Sequence, residues 1–199
     1  MNPRIAALGH EIRRLEEELE LEFARRRTEF AYTVRDRVVR FEERVLQRHK
    51  SLRKGLLRYV LSARPLFLLT APLIYALVVP FALLDLFVTL YQRACFPVYG
   101  IPVVRRRDYL VFDRAHLAYL NGIERLNCAY CSYANGLIAY VREVAGRTEQ
   151  YWCPIKHARR VIGTHERYNR FSDYGDAEAY HRELDELRAE LARKRDGTD

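Results

Sequence analysis

Apolar residues along the chain form three patterns, and each predicts a different kind of helix. The longest is a run of 20 residues without a charge, from Pro65 to Leu84, which reads PLFLLTAPLIYALVVPFALL. Continued to Gln92, the run contains a single charged residue, Asp85. About 20 apolar residues in a helix suffice to cross the ~30 Å hydrocarbon core of a bilayer. The pattern therefore predicts a membrane segment over residues 65–92.

Two prolines within this segment, Pro72 and Pro80, leave its path open. Proline removes an amide donor and tends to kink a helix, although membrane helices tolerate it. The segment is either a single kinked span or a re-entrant hairpin that turns near Val79–Pro80. A buried helix of a soluble domain is disfavoured, because helices that are apolar on all faces are rare in domains of this size. No basic-then-apolar sequence starts at Met1, so we do not expect a cleavable signal peptide.

The second pattern lies in residues 1–64, which we predict to form a long amphipathic helical arm. Apolar residues at alternating spacings of four and three mark a coiled-coil seam: Ile5, Leu8, Ile12, Leu15 and Leu19. The phase shifts at Glu22, and no proline occurs between Arg4 and Arg64. Such a stripe needs a cover. Self-association as a homo-oligomer, another protein, the C-terminal part of the chain and the membrane surface all remain open.

The third pattern closes the chain. Residues 176–194 place apolar side chains on one helical face: Tyr180, Leu184, Leu187 and Leu191. Between the membrane segment and this end, residues 93–107 contain Pro97, Gly100 and Pro102 and are predicted to form an extended connector. Residues 108–199 then form a small helical domain, and the fold class is all-α.

Charge separates two classes of partner. The chain has 34 basic and 26 acidic residues, yet no basic residue lies within 65–92. Basic residues flank that segment on both sides: Arg53, Lys54, Arg58, Arg64, Arg105, Arg106 and Arg107. Such flanks favour anionic lipid and the cytoplasmic side. We therefore expect membrane lipids rather than nucleic acid as the partner, with the soluble parts in the cytoplasm.

The cysteine and histidine residues that could carry chemistry concentrate in residues 108–170, within the predicted C-terminal helical domain. Cys128 and Cys131 form a CxxC pair, predicted as a turn in which two thiolates converge on a metal. In the sequence CPIKH, Pro154 fits the first position of a helix, which would place Cys153 at its N-cap with His157 on the same face. The two pairs would complete a Cys3His metal site.

The strings CAYCSY and CPIKH resemble the paired knuckles of rubredoxins and zinc ribbons. In those families two CxxC-type turns bind iron or zinc. This sequence departs from that pattern because His157 replaces the fourth thiol, with one extra residue of spacing. The departure shifts the expected cofactor from iron to zinc.

A thiol enzyme is the rival interpretation of the same residues. Cys153 at a helix N-terminus beside Lys156 would be a reactive nucleophile, with His157 as its proton acceptor. Alternatively, Cys128 and Cys131 would act as a redox pair. The sequence identifies no catalytic residue beyond these candidates, since it has no phosphate-binding loop, nucleophile elbow or HExxH motif.

The stretch from Asp113 to Val161, together with most of the chain after Arg64, resembles a family of bacterial membrane-associated proteins. The resemblance implies a bacterial inner-membrane setting and carries no activity with it. Together with the cysteine pattern, it leads us to expect a membrane-anchored, non-enzymatic scaffold or assembly protein with a structural zinc site. The alternative is a membrane-bound thiol or redox enzyme.

Overall fold

The computed structural model of the chain describes residues 3–30, 32–35, 38–62 and 64–193. Helices account for 73% of the structure, which confirms the all-α prediction. The helices and strands are α1 (Pro3–Glu29), β1 (Tyr32–Arg35), β2 (Val38–Phe41), α2 (Glu43–Ser51), α3 (Leu56–Leu61), α4 (Pro65–Ala76), α5 (Val78–Tyr99), α6 (Gly122–Trp152) and α7 (Ala177–Arg193). Short 3₁₀ helices lie at Arg106–Asp108, Asp113–His116 and Glu166–Arg170.

The chain divides into two compact units, neither of which is continuous in sequence. The first unit contains Met1–His10, Ala82–Tyr109 and Leu137–Asp199. The second contains Glu11–Phe81 and Leu110–Gly136. Helices α1, α5 and α6 therefore each contribute residues to both units.

The prediction of one helical arm over residues 1–64 is wrong beyond Glu29. There the chain leaves the helix and forms an antiparallel hairpin in which Tyr32 pairs with Phe41 and Val34 with Val39. The cause is local: residues 30–41 read FAYTVRDRVVRF, and aromatic and β-branched residues favour strands. A spacing of four, such as that from Phe30 to Val34, fits both a helix and the period of two in a strand, so periodicity did not separate the two structures.

The apolar segment is helical throughout, apart from one residue between α4 and α5. Leu77 keeps helical dihedrals of φ −63° and ψ −14°. Its neighbourhood loses one backbone hydrogen bond because Pro80 has no N–H to donate to the carbonyl of Ala76. The helix is therefore interrupted at one residue only, whereas a re-entrant hairpin would require the chain to reverse its direction there. By length and composition Pro65–Tyr99 is a candidate membrane span, with a mean hydropathy of 2.3 and none of its most apolar window buried.

Helix α5 continues to Tyr99, so the predicted connector over residues 93–107 begins seven residues too early. The helix ends in a Schellman motif: the N–H of Ile101 donates to the carbonyl of Phe96 (2.9 Å) and that of Gly100 to Pro97 (3.3 Å). Gly100 has φ +68°, a left-handed conformation that glycine adopts without a Cβ penalty. Phe96 and Ile101 are both buried, which is the apolar contact that accompanies this motif.

The last two helices begin at side-chain caps that the sequence indicated. Asn121 Oδ1 accepts from the N–H groups of Ile123 and Glu124 (3.0 Å each), and Glu124 Oε2 accepts from the N–H of Asn121 (2.9 Å). This reciprocal arrangement is a capping box. Asp176 caps α7 by accepting from the N–H of Ala179 (2.9 Å). The helix predicted at the C-terminus is confirmed as α7, while Lys194 lies outside the described residues.

The largest group of buried apolar side chains belongs to the first unit. It combines residues of α5, α6, α7 and the loops between them: Phe96, Ile101, Val104, Leu137, Tyr140, Val144, Phe171, Leu187 and Leu191. Leu187 and Leu191 lie on the face of α7 that periodicity identified. This core holds α5 against α6 within the unit.

Candidate functional site

One face of α5 carries polar residues in the middle of an apolar sequence. Asp85, Thr89 and Gln92 follow each other at spacings of four and three, which aligns them on one side of a helix. Asp85 and Gln92 are buried and Thr89 is half-buried. Polar groups buried in this way are costly unless they are hydrogen-bonded, so their partners define the site.

Asp85 is paired with Arg106, which lies just after the end of α5. The Nε of Arg106 donates to both carboxylate oxygens, at 2.9 and 3.2 Å, and its NH2 group donates to Oδ2 at 2.5 Å. The arrangement is bidentate, the strongest geometry for an arginine–carboxylate pair. Thr89 Oγ1 also donates to Asp85 Oδ1 at 3.4 Å. The one acidic residue of the apolar segment is thus neutralised by the protein itself.

Gln92 joins α5 to the connector and to α6. The backbone N–H of Val104 donates to Gln92 Oε1 at 2.9 Å, and Gln92 Nε2 donates to the carbonyl of Val104 at 3.3 Å. The same amide nitrogen donates to the hydroxyl of Tyr140, which also lies 3.3 Å from Thr89 Oγ1. Both ends of the buried amide are therefore satisfied, and Tyr140, itself fully buried, links α6 to this face.

The opposite face of α5 has no polar residue over the same length. Large apolar side chains there are all exposed: Leu83, Leu86, Phe87 and Leu90. Helix α4 and the residues that follow it also expose large apolar side chains: Leu66, Phe67, Leu68, Leu69, Leu73, Ile74, Leu77 and Val79. Monomeric soluble proteins rarely expose apolar patches of this extent, and such patches mark membrane or protein contact.

A charged cluster lies farther along α6. Glu143 Oε1 accepts from Arg147 (2.7 Å) on the same helix and from Arg167 (2.8 Å). Burial alone would raise the pKa of Glu143, but the hydrogen bonds from these two guanidinium groups outweigh it, so the pKa lies below its ordinary value. Burial, followed by the charge of Glu143, raises the pKa of the nearby Tyr109. Arg147 also donates to the carbonyl of Pro102 (2.7 Å), which ties the connector to α6.

A histidine–carboxylate pair lies on the next turn of α6. His165 Nε2 is 2.9 Å from Glu149 Oε2, and the imidazole ring packs on Gly146 so closely that a Cβ there would lie 2.9 Å from the ring. Gln150 is buried between Arg167, which donates to its Oε1, and the carbonyl of Leu187, which accepts from its Nε2. The cluster packs the Glu166–Arg170 turn and α7 against α6, which indicates a structural role. Within the described residues, His165 Nδ1 and Arg167 Nε are buried without a hydrogen-bond partner.

The CxxC pair lies inside α6, so the predicted knuckle turn is wrong. Cys128 and Cys131 are three residues apart on one helical face, half-buried and exposed respectively. Asn135 Nδ2 donates to the carbonyl of Cys131 (2.9 Å), a bond within the helix. The capping box at Asn121 starts the helix, and no proline lies between Gly122 and Cys153, so the helix runs through both cysteines.

The CPIKH sequence does not begin a helix either. Cys153 directly follows the end of α6, and Ile155 forms a parallel bridge with Ser172. The N–H of Ser172 donates to the carbonyl of Pro154 at 3.0 Å, and the N–H of Lys156 donates to the carbonyl of Ser172 at 2.9 Å. The His157 ring stacks on Tyr168, with centroids 6.1 Å apart. Cys153 therefore lacks the helix N-terminus that the nucleophile interpretation needed.

The four predicted ligands are thus divided between the interior of α6 and the segment after it. The 21 residues between Cys131 and Cys153 are all helical, and a helix of that length extends about 30 Å. In the described part of the chain, no three His, Cys, Asp or Glu residues are placed to share a metal ion. The Cys3His zinc site stays a prediction from spacing.

The predicted basic flanks are exposed at Arg53, Lys54, Arg58, Arg64, Arg105, Arg106 and Arg107. Arg106 differs from the others because Asp85 engages it. Sequence reasoning assigned it to the membrane surface and treated Asp85 as an exception. The spacing of Asp85, Thr89 and Gln92 is the sequence signal from which the buried face could have been predicted. Lys156 also found a partner: its hydrogen bond and charge lower the pKa of Asp173.

Comparison of the chain with family models, with curated proteins and with solved structures found no match.

Proposed function

We propose that this protein is a membrane-anchored, non-enzymatic helical scaffold, held in the bilayer by α4 and the apolar face of α5. The observation that carries the proposal is the division of α5 into two faces. Asp85 and Gln92 are satisfied by the protein, whereas the face that includes Phe87 has no polar group and no cover within the described chain. A helix of a soluble core would bury that face, and here none of the most apolar window is buried.

Two further observations support a bacterial inner membrane with the soluble parts in the cytoplasm. Basic residues flank the apolar helix, and positively charged flanks favour the cytoplasmic side. Cys95, Cys128, Cys131 and Cys153 are free thiols, which matches a reducing compartment. The family resemblance noted in the sequence points to the same setting.

Vesicle flotation of the full-length protein after an alkaline carbonate wash tests insertion directly. Wild type is expected to float with the vesicles, because carbonate removes proteins held only by charge. Replacing Leu77 and Val79, two exposed residues near the middle of residues 65–92, with arginine should leave the protein in the soluble fraction, since each central arginine costs about 2.5–3.5 kcal/mol of insertion free energy.

The matched control places two arginines at Val161 and Ile162, exposed apolar residues outside the helix. This variant should float like wild type. Removal of wild type by carbonate, or equal flotation of the two double-arginine variants, would refute the anchor.

Zinc content is a separate prediction that the same purified protein tests. The Cys3His site predicted from spacing requires about one zinc per chain in wild type and in Cys95→Ser, and none in Cys128→Ser. A metal-free wild type would exclude the zinc site and leave the anchor proposal intact. Rapid alkylation of Cys153 in that metal-free protein would favour the thiol-enzyme alternative.

A further inference from the structure

Helix α1 presents an apolar stripe that nothing in the described chain covers. Leu8, Ile12, Leu15 and Leu19 are 58%, 52%, 51% and 53% exposed. Their spacings of four, three and four match the a and d positions of a coiled coil, with Ile12 and Leu19 at a and Leu8 and Leu15 at d. The side chain of Ile5, which would extend the stripe, lies outside the described ones.

The charge beside the stripe disfavours an anionic membrane surface as its cover, although α1 as a whole has six arginines against seven glutamates. Residues 11–22 contain six glutamates and two arginines, a net charge of −4 in a chain whose total is +8. A helix that lies on anionic lipid is instead rich in lysine and arginine on its polar face. The negative surface potential of such a leaflet would repel this one.

Like charges beside the stripe oppose pairing between two copies of α1. With Ile12 at a, Glu11 and Glu18 occupy g positions and Glu16 an e position. In a parallel pair, g residues face e residues of the next heptad in the partner, so Glu11 would face Glu16 twice. In the antiparallel register that pairs Ile12 with Leu15, facing g positions would bring Glu11 against Glu18.

Ion pairs within α1 offset only part of this negative charge. Arg14 contacts Glu11 (2.5 Å) and Glu18 (3.1 Å), but all three side chains are more than half exposed. Exposed pairs of this kind contribute about 0–1 kcal/mol. Glu16 still places a carboxylate next to the stripe, and ion pairs within residues 11–22 do not change the net charge of that segment. The e and g positions therefore select against a second acidic helix and for a basic one.

We infer that α1 binds an amphipathic helix of another protein, whose own leucine or isoleucine stripe is flanked by lysine and arginine. Two features carry the inference: an unfilled a/d stripe and acidic neighbours at e and g. The inference names the kind of partner that the proposed scaffold would assemble, and in that respect it rests on the proposed function. The pairing itself does not require a membrane.

Binding of designed heptad peptides to the full-length protein in detergent micelles tests this. One fluorescent peptide of about three heptads carries isoleucine and leucine at a and d with lysine at e and g; its twin carries glutamate there. Fluorescence anisotropy should show the lysine peptide binding about tenfold more tightly or better. Replacing Glu11, Glu16 and Glu18 together with lysine should invert that preference.

The stripe itself is tested by Leu15→Asn, with Leu21→Asn as the matched control. Leu21 is 72% exposed on the same helix but lies at a c position, off the stripe. Leu15→Asn should abolish peptide binding, and Leu21→Asn should retain it. Helix content measured by circular dichroism checks that each variant is folded.

Equal affinity for both peptides, or binding of neither, would overturn the inference. So would self-association of the full-length protein in sedimentation velocity that Leu15→Asn removes, because it would identify a second copy as the occupant. These outcomes are distinguishable from failure of the anchor, which is measured by flotation and involves no peptide.

Discussion

The two faces of α5 meet different surroundings, although one short sequence forms both. One face places Asp85, Thr89 and Gln92 against Arg106, Tyr140 and the connector, to which they are hydrogen-bonded. The other face exposes leucine and phenylalanine side chains with no partner in the described chain. A hydropathy average over the segment hides this division. What distinguishes the buried face of α5 from its exposed apolar face is the spacing of its few polar residues.

The largest expected difference between the faces comes from truncating one phenylalanine on each. Phe96 is fully buried on the docked face and closes the Schellman motif with Ile101, whereas Phe87 is 65% exposed. Phe96→Ala should lower the free energy of unfolding by about 3–5 kcal/mol, because it leaves a cavity. Phe87→Ala should change it by less than about 0.5 kcal/mol. Denaturant unfolding in detergent measures both, and similar losses would contradict the division.

A smaller effect is expected from removing the charge of the docked face. Asp85→Asn weakens the bidentate pair with Arg106 and should cost about 1–3 kcal/mol, at the lower end because Arg106 is nearly half exposed. Arg106→Lys keeps the charge but loses the fork geometry and should cost less. Glu18→Gln, in an exposed pair of α1, is the control and should be within about 0.5 kcal/mol of wild type. Carbonate-resistant flotation should be unchanged in all three variants.

The smallest expected effect is the part of the pH dependence of the unfolding free energy that comes from Glu143. Arg147 and Arg167 hold the pKa of Glu143 below its ordinary value, despite burial. A group whose pKa is lowered by folding stabilises the protein above the unfolded pKa, and that stability is lost as pH falls through the folded pKa. Unfolding free energy should therefore decrease on acidification below about pH 4.5, the ordinary glutamate value.

Glu143→Gln should flatten this part of the pH profile, whereas vesicle flotation should not depend on Glu143 at all. An identical acid profile in wild type and Glu143→Gln would show that the two arginines do not hold this carboxylate in its charged form.

Local sequence rules predicted most of the helical structure. The uncharged run predicted the apolar helix, heptad spacing predicted α1, and the apolar face of residues 176–194 predicted α7, whereas one continuous helix over α6 was not predicted. These features depend on neighbours a few residues away, and the side-chain caps act within one turn.

The failures have two physical causes. Residues 30–41 satisfy a helical period and a strand preference at once, and the hairpin registers Tyr32 against Phe41, a choice that single-sequence periodicity does not make. In the cysteine region, the pattern CxxC was interpreted as a turn, but α6 passes through it and the bridge between Ile155 and Ser172 removes the helix predicted at Pro154. Tertiary pairing decided both.

The most direct test of the account is the accessibility of spin labels around α5 in lipid nanodiscs. In a protein whose four native cysteines are replaced by serine, labels at Leu83, Phe87 and Leu90 should collide more with oxygen, which concentrates in the bilayer, than with a water-soluble nickel complex. Labels at exposed Val161 and Ile162 should show the opposite ratio. If the α5 labels instead prefer the nickel complex, the apolar face lies in water and the protein is not anchored by this helix.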